Sequence, residues 1–377
     1  MFLEKIKINF FRNYEKIDIT LNDGINVFVG NNAQGKTNLL EAIYFLATSK
    51  SHRNSSDLSL INENFSNMSV MGNIVENKIK TKMEIKYKEN KKSLKIDNKE
   101  VNNIAEYISF FNVVLFVPDD LCLIKDGPDI RRRYINLQLS QIYSEYLKVL
   151  NDYNKLLRVR NDYIYKKKKH EEYNAEYLKI LEQYYINKAI IIYKLRKKYV
   201  TKVNEYIDDI FYDITGLRGL KISYLPNIEI VNYESEEVKS ILLEKFLNFE
   251  DEEISYGKSL FGPHRDDFEF LLNNRSLKLF GSQGQIRSAI LALKLSEIEI
   301  LRKVKNHNPI LLLDDVFSEL DRKKKNNLLK YINKNMQVII TTTDLALINK
   351  KLINGAKIFN IRNGCIESIK GEVCGKE

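Results

Sequence analysis

Three cysteines in 377 residues are too few for a disulfide framework, and Cys122, Cys365 and Cys374 lack the CxxC spacing of a structural zinc site. Their scarcity fits a reducing compartment and leads us to expect a cytoplasmic protein. Long apolar runs are missing too: stretches such as Pro309 to Leu313 span a few residues, against the roughly 20 that a membrane helix needs. The first ten residues alternate Ile6, Ile8 and Phe10 with polar side chains, without the unbroken apolar stretch of a signal peptide. Histidine occurs four times, with no spacing that suggests a His/Asp/Glu metal cluster. No heptad pattern is sustained, so no long coiled coil is expected.

What is present is a large folded chain. At about 150 residues per domain, its length allows two or three domains, each able to bury a core. Hydrophobic residues make up 44% and charged residues 29%, which excludes a disordered tail. Lys and Arg number 60 against 50 Asp and Glu, a net charge of +10. That balance favours an anionic partner: nucleic acid, a membrane surface or nucleotide phosphates.

Residues 1 to 30 read as short alternating strands around the turn Asn22-Asp23-Gly24, the last leading into Gly30. From Asn38 the spacing of Leu39, Leu40, Ile43, Tyr44 and Leu46 is helical. Met68 to Lys99 alternates again, as solvent-faced antiparallel strands do. After Pro128, neither Gly nor Pro occurs until past Asp213, and apolar residues recur at helical spacing. This predicts a helical arm at 129–213 inserted into a head formed by 1–128 and 214–377. Residues 151 to 210 carry 14 Lys and Arg, 9 Asp and Glu, and 10 of the chain's 22 Tyr. Those tyrosines pack the seam of an antiparallel helical hairpin, or they touch nucleic acid; the run Lys166, Lys167, Lys168 and Lys169 belongs at the hairpin tip, solvated or on a phosphate. Residues 286 to 370 alternate helix and strand, the signature of an α/β layer.

Gly30-Asn31-Asn32-Ala33-Gln34-Gly35-Lys36-Thr37 has the spacing of a phosphate-binding loop, placed after a strand and before a helix. Successive backbone N–H groups form an anion nest, and Gly30 and Gly35 allow backbone angles and close approach that a Cβ would block. Lys36 is expected to reach the β- and γ-phosphates of ATP, and the Thr37 hydroxyl to ligate Mg²⁺. Ile310 to Leu313 reads as a buried strand that ends in Asp314 and Asp315. Strand ends are where ligands sit in such sheets. Asp314 is therefore the candidate Mg²⁺ partner, and Asp315 the group that orients or deprotonates the attacking water. Ser282-Gln283-Gly284-Gln285 opens another helix, where a plain N-cap would suffice to explain it.

In order, the phosphate loop, the Ser-x-Gly-Gln helix, the Leu-Leu-Leu-Asp-Asp strand and Ser318-Glu319-Leu320-Asp321 resemble the motif set of ATP-binding-cassette ATPases. That likeness implies that Ser282, Gly284 and Gln285 contact the γ-phosphate held by an opposite subunit, and that Ser318 to Asp321 bridge the subunits. Further stretches make the likeness closer: Ile6 to Tyr14, Ser51-His52-Arg53, Pro118-Asp119-Asp120-Leu121, Arg131-Arg132-Arg133 and Gly262-Pro263-His264-Arg265-Asp266-Asp267. Together they resemble the RecF family, bacterial recombination mediators related to SMC-type ATPases. The resemblance implies an α/β, ABC-ATPase-type head with flanking antiparallel strands plus a helical arm. It also implies an ATP-dependent homodimer that binds gapped or junction DNA and, with RecR and RecO, places RecA on single strands. Arg53, Arg131, Arg132, Arg133, Arg265 and Lys166 to Lys169 are its candidate DNA contacts. His264 to Asp267 read either as a structural ion-pair knot or as a phosphate contact.

Two departures from transporter cassettes suit a slow, switch-like ATPase: Asp315 stands where those enzymes carry Glu, and Thr341-Thr342-Thr343-Asp344 where they carry His. Asn112 to Asp120 is the candidate for their Gln loop. The rival expectation is the head of a DNA-end-processing complex or nuclease. A nuclease of that kind needs an acid-rich metal domain after the head, and 33 residues follow Asp344.

Overall fold

Along β1 (Phe2–Phe11), Leu3, Ile6, Ile8 and Phe11 point inward. Strict alternation is broken twice, by a register shift between Leu3 and Lys5 and by Phe10 at φ 54°. The strand lies between β2 (Tyr14–Thr20) and β4 (Met68–Glu76), and the antiparallel sheet continues through β5 (Ile79–Lys88), β6 (Lys91–Ile96) and β7 (Lys99–Glu100). Asn77-Lys78, Glu89-Asn90 and Asp97-Asn98 link successive strands with positive φ at both residues, the twist that two-residue hairpins require. This computed structural model describes residues 1–53, 56–319, 322–332, 336–348 and 355–370. Leu320 and Asp321 of the expected bridging loop, and Cys374, lie outside the described residues.

A second six-stranded sheet holds β3 (Ile25–Val29) in the order β15-β14-β3-β13-β12-β8. Its members are β8 (Val113–Phe116), β12 (Ile310–Asp314), β13 (Val338–Thr342), β14 (Lys357–Arg362) and β15 (Cys365–Lys370). All pairings are parallel except that of β15. Continuous apolar runs such as Leu311 to Leu313 and Val338 to Ile340 are buried along their whole length, as a sheet covered on both faces demands. Helix α1 (Lys36–Thr48) follows β3 and is apolar nearly all round, so it too is buried. Helix α2 (Ile104–Phe110) precedes β8.

The chain divides into two compact units. One comprises 1–121, 209–218 and 287–377; the other comprises 122–208 and 219–286. The second unit therefore takes in the segment 219–286 as well as the expected helical stretch. It contains α3 (Cys122–Lys125), α4 (Pro128–Ile142), α5 (Ser144–Lys168) and α6 (Ala175–Asn204), and α7 (Ile207–Thr215) carries the chain out of it. A three-stranded sheet of β9 (Leu220–Leu225), β10 (Asp267–Leu272) and β11 (Arg275–Ser276) belongs to the same unit. So do α8 (Ser235–Asn248), α9 (Glu250–Tyr256) and α10 (Leu277–Phe280). Helix α11 (Gln283–Lys305) starts there and ends in the first unit, which also holds α12 (Val316–Glu319) and α13 (Arg322–Tyr331). Among the described residues no helix is long and apolar enough to cross a membrane.

Helices α5 and α6 form the hairpin, with the lysine run at its tip. Tyr146, Tyr153, Tyr185, Tyr193 and Tyr199 are buried, while Tyr165, Tyr173, Tyr177 and Tyr184 are exposed. Charge is buried as well. Arg196 meets Asp266 at 2.6 Å, and both are almost fully enclosed. Tyr224 donates to the same carboxylate, the Asn227 N–H reaches it at 2.9 Å, and Arg196 also donates to the Pro263 carbonyl at 2.5 Å. Arg160 is bound in turn by Glu253 at 2.7 Å and Glu182 at 3.1 Å. A buried pair is tolerated only when its remaining donors and acceptors are satisfied. Here they are supplied by backbone and hydroxyl groups around the Gly262 to Asp267 segment. That stretch is an ion-pair knot, in which only Arg265 is exposed.

Gly262 sits at φ 137°, and a Cβ there would lie 2.3 Å from the Tyr185 hydroxyl and 2.5 Å from that of Tyr153. Beside it, His264 Nε2 lies 3.3 Å from the Ser259 carbonyl, so this nitrogen carries the proton and Nδ1 faces the Tyr153 hydroxyl at 2.6 Å. Burial pushes the ring down to about 4, with Arg265 and Arg132 acting in the same direction. His264 is thus neutral when folded, while an unfolded chain takes up its proton near pH 6.5. The stability it confers is complete above that value and is lost as pH falls towards 4, by up to about 3 kcal/mol. Urea unfolding between pH 7 and 4 should show this loss, and His264→Gln should remove part of the slope.

Candidate functional site

Strand β3 ends at Val29, and the loop 30–35 turns the chain into α1. The Gly30 N–H donates to the Thr342 carbonyl at 3.3 Å. Gly30 does not adopt positive φ; a Cβ there would lie 2.4 Å from the Ile361 carbonyl of β14, so close packing against that strand demands glycine. Gly35 does need its conformation, at φ 111°, and a Cβ would also strike Asn13 and Tyr14. Ala33 is left-handed as well, at φ 63°. The backbone is thereby bent into the anion nest expected from spacing. Asn31, Asn32 and Ala33 are exposed at its rim.

Lys36 is buried. Its ammonium donates to the carbonyls of Gly30 at 2.6 Å and Asn31 at 2.7 Å, holding it inside the loop. Burial lowers its pKa, and the carboxylates of Asp315 and Asp314 oppose that shift. Thr37 donates to Asp314 Oδ1 at 3.0 Å, and Thr341 on the neighbouring strand donates to the same oxygen at 2.7 Å. Burial raises the Asp314 carboxyl above its ordinary value, and these two hydroxyls work against it. Asp315 lies at φ 49°, with its N–H on the Thr341 carbonyl and hydroxyl. Its Oδ1 is buried and has no hydrogen-bond partner among the described residues. Ser318 closes this turn by donating its hydroxyl to the Asp315 carbonyl at 2.6 Å. Lys36, Thr37, Asp314 and Asp315 therefore meet at the carboxyl edge of the parallel sheet.

Several contributors were not singled out by spacing. Gln34 accepts from the N–H groups of Asn363 at 2.6 Å and Gly364 at 3.0 Å, which brackets the phosphate loop against the β14–β15 turn. From the other side, the Tyr14 hydroxyl donates to the Gly35 carbonyl at 2.7 Å. The Asn363-Gly364 dipeptide was a legible hairpin signal. Beneath the loop, Glu41 is fully buried in α1 and held by Arg12 through two bonds of 2.8 and 2.9 Å and by Ser51 at 2.5 Å. Burial alone would raise the Glu41 carboxyl, but these bonds outweigh it and keep it below the usual carboxylate range. A lone acid in so apolar a helix was the signal, because a buried charge requires a partner.

At the start of α11, Ser282 and Gln285 cap each other. Ser282 N–H donates to Gln285 Oε1 at 2.9 Å, and Gln285 N–H donates to Ser282 Oγ at 3.2 Å. This is a reciprocal capping box. Ser282 and Gly284 are exposed, and apart from the adjoining residues and the helix's own backbone no atom of the described residues lies within 4 Å of where a Gly284 Cβ would be. In the candidate Gln-loop segment, Asp120 is paired with Lys294 at 2.9 Å, and no glutamine is present.

The candidate DNA contacts divide sharply. Arg131 is buried and held by Asp267 through bonds of 2.7 and 2.9 Å, and Arg132 donates to Asp129 and to the Asp266 carbonyl. Both are thus engaged inside the fold, which also relieves the opposed dipole of an arginine-rich helix start. Lys167 pairs with Glu250, and Lys168 donates to the Ser255 carbonyl at 2.6 Å, so half of the lysine run is docked on the α9 segment. Arg53, Arg133, Arg265, Lys166 and Lys169 remain exposed, as does Lys168 beside its bond to Ser255.

A phosphate loop facing a strand-end carboxylate pair, on a parallel sheet flanked by an antiparallel one, defines an ATPase head of the SMC type. The SMC head bound to the C-winged helix domain of ScpA shares the fold at a TM-score of 0.54 and 16% identity, covering 99% of this chain and 98% of that one. Residues 2–367 match the family described as RecF/RecN/SMC N terminal domain. The DNA replication and repair protein RecF of Ligilactobacillus salivarius (strain UCC118) is 39% identical over 97% of each chain. That of Bacillus cereus (strain AH820) is 36% identical over 97% of this chain and 98% of its own. A solved structure described as the recombination mediator protein RecF-ATP in the RecFOR pathway superposes with a TM-score of 0.90 at 32% identity, and the RecF-ATPrS structure with 0.88 at 33%, each covering 97% of both chains. The chain belongs to the RecF family.

Removing the Arg12 guanidinium would strand a fully enclosed carboxylate. Arg12→Ala is expected to lower stability by about 3 kcal/mol, measured as a shift in the urea midpoint. A loss below about 1 kcal/mol would show that Ser51 and water suffice for Glu41.

Proposed function

We propose that this chain is an ATP-switched DNA-binding protein of recombinational repair. It would dimerise around two ATP molecules, bind gapped or junction DNA, and act with RecO and RecR to load RecA. The observation that carries the reading is the meeting of Lys36, Thr37, Asp314 and Asp315 at one sheet edge. It is supported by the full-length likeness to a RecF described with ATP and in the RecFOR pathway. The residues fit a Mg²⁺–ATP complex: the loop is a ready anion nest, Thr37 and Asp314 present adjacent oxygens, and Asp315 keeps a carboxylate oxygen with no partner among the described residues. The metal would supply charge neutralisation for the phosphates.

Within that reading, Lys36 trades the loop carbonyls for phosphate oxygens. Thr37 and Asp314 hold the metal, with Thr341 fixing the Asp314 carboxylate. Asp315 orients or deprotonates the attacking water. Its shorter side chain, compared with Glu, suits slow turnover. Ser282 contacts the γ-phosphate of the opposite copy, because a hydroxyl that accepts within its own cap still has a proton to donate. ATP binding then favours the dimer by the difference in affinity between the two states, and hydrolysis reverses it. Arg53, Arg133, Arg265, Lys166 and Lys169 are the exposed residues assigned to DNA.

Lys36→Met should abolish binding of a fluorescent ATP analogue, whereas Asp315→Asn should bind it normally and lose turnover. Equal hydrolysis by wild type and Asp315→Asn would remove the role given to Asp315. Ser282→Asp retains an N-cap acceptor but has neither a proton to donate nor tolerance for a phosphate. It should leave urea stability within about 0.5 kcal/mol and eliminate ATP-dependent dimers in sedimentation. If the closed dimer neutralises about six phosphates, DNA affinity should fall on the order of a thousandfold between 50 and 200 mM salt. Without ATP the salt slope should be roughly halved, since a monomer presents half of that surface. An identical slope in both states would contradict the switch.

A further inference from the structure

Leu277 is buried at the start of α10, but Leu279 and Phe280 at its end are 73% and 71% exposed. This is not a loose loop. The Gly281 N–H closes onto the Leu277 carbonyl at 3.0 Å, and a Cβ on Gly281 would lie 2.5 Å from that oxygen. The capping box of Ser282 and Gln285 then fixes the next turn. Two large apolar side chains are therefore held outward on an ordered element, immediately before the exposed Ser282 and Gly284.

We infer that Leu279 and Phe280 form an apolar contact against a second copy of this chain, adjoining the place where Ser282 meets the other copy's nucleotide. The inference rests on the ATP-dependent dimer proposed above. Phe280 and Ser282 are two residues apart, at most about 7 Å between Cα atoms. A protein surface that brings a triphosphate onto Ser282 therefore comes within reach of Phe280. Charge agrees with that occupant: residues 275 to 287 include Arg275, Lys278 and Arg287 and no acid, whereas the facing site would bring a triphosphate together with Asp314 and Asp315. A two-fold dimer buries the pair twice, so its removal counts at both ends of the interface. Duplex DNA is the less suitable occupant, since its phosphates have nothing to gain from two exposed apolar side chains.

The test uses the full chain in the Asp315→Asn background, where ATP persists. Combined Leu279→Ser and Phe280→Ser should leave the urea midpoint and fluorescent-ATP binding unchanged, yet require at least tenfold more protein to dimerise with ATP and Mg²⁺. The chain contains no tryptophan, so Phe280→Trp introduces a single reporter. Its emission should shift to the blue when ATP drives dimerisation, and should not shift when Ser282→Asp is added. If the double serine variant dimerises like its parent while Ser282→Asp does not, the inference is overturned and the dimer stands. A parent that stays monomeric with ATP overturns both. Dimerisation retained with DNA affinity lost would give the pair to DNA and equally overturn the inference.

Discussion

The carboxylate of Asp314 is the constraint around which the first unit is arranged. It is nearly enclosed at the end of β12, where burial raises its pKa and the hydroxyls of Thr37 and Thr341, which reach one of its oxygens, oppose that shift. Those two threonines come from the phosphate loop and from β13, which lies between β3 and β12 in the sheet. Three parallel strands must therefore be in register before the loop has its partner. The loop is also gripped from outside the sheet core, by Tyr14 on one side and by the β14–β15 turn on the other. Nucleotide affinity and sheet assembly are consequently one problem.

The second unit solves a different one. It encloses Arg131, Arg160 and Arg196 and satisfies each with an acid and with backbone or hydroxyl partners. Networks of this kind add less net stability than apolar packing of equal volume, but they penalise any arrangement that leaves a member unpaired. The Gly262 to Asp267 segment is the junction of these networks. Its glycine, histidine and aspartates hold the geometry of the helical hairpin through these internal bonds.

What could be read in advance was local. The phosphate loop, the apolar strand ending in two aspartates and the long helices each announce themselves within about ten residues, by spacing or by period. Partnerships were not legible, because topology decides them. Arg131 to Arg133 look like a basic patch, and only the fold shows that Asp267 draws Arg131 inward from 136 residues away. Gly30 fits the loop motif, yet its need for glycine comes from Ile361. Ser282 carries both readings at once, as a helix cap in the isolated chain and as an outward-facing hydroxyl. Spacing alone does not separate them, since the cap and the trans contact draw on the same residue types.

Under the function proposed above, that double use of Ser282 would couple thermal behaviour to signalling. Helix ends open locally at far lower free energy than the whole fold, and an opened first turn of α11 would let Ser282 and Gln285 drift apart. The hydroxyl would then no longer be held where a partner's phosphate could find it. On warming, the response to ATP should thus fade while the sheets are still intact, so the working range of the switch would be set by one frayed helical turn rather than by the melting of the protein.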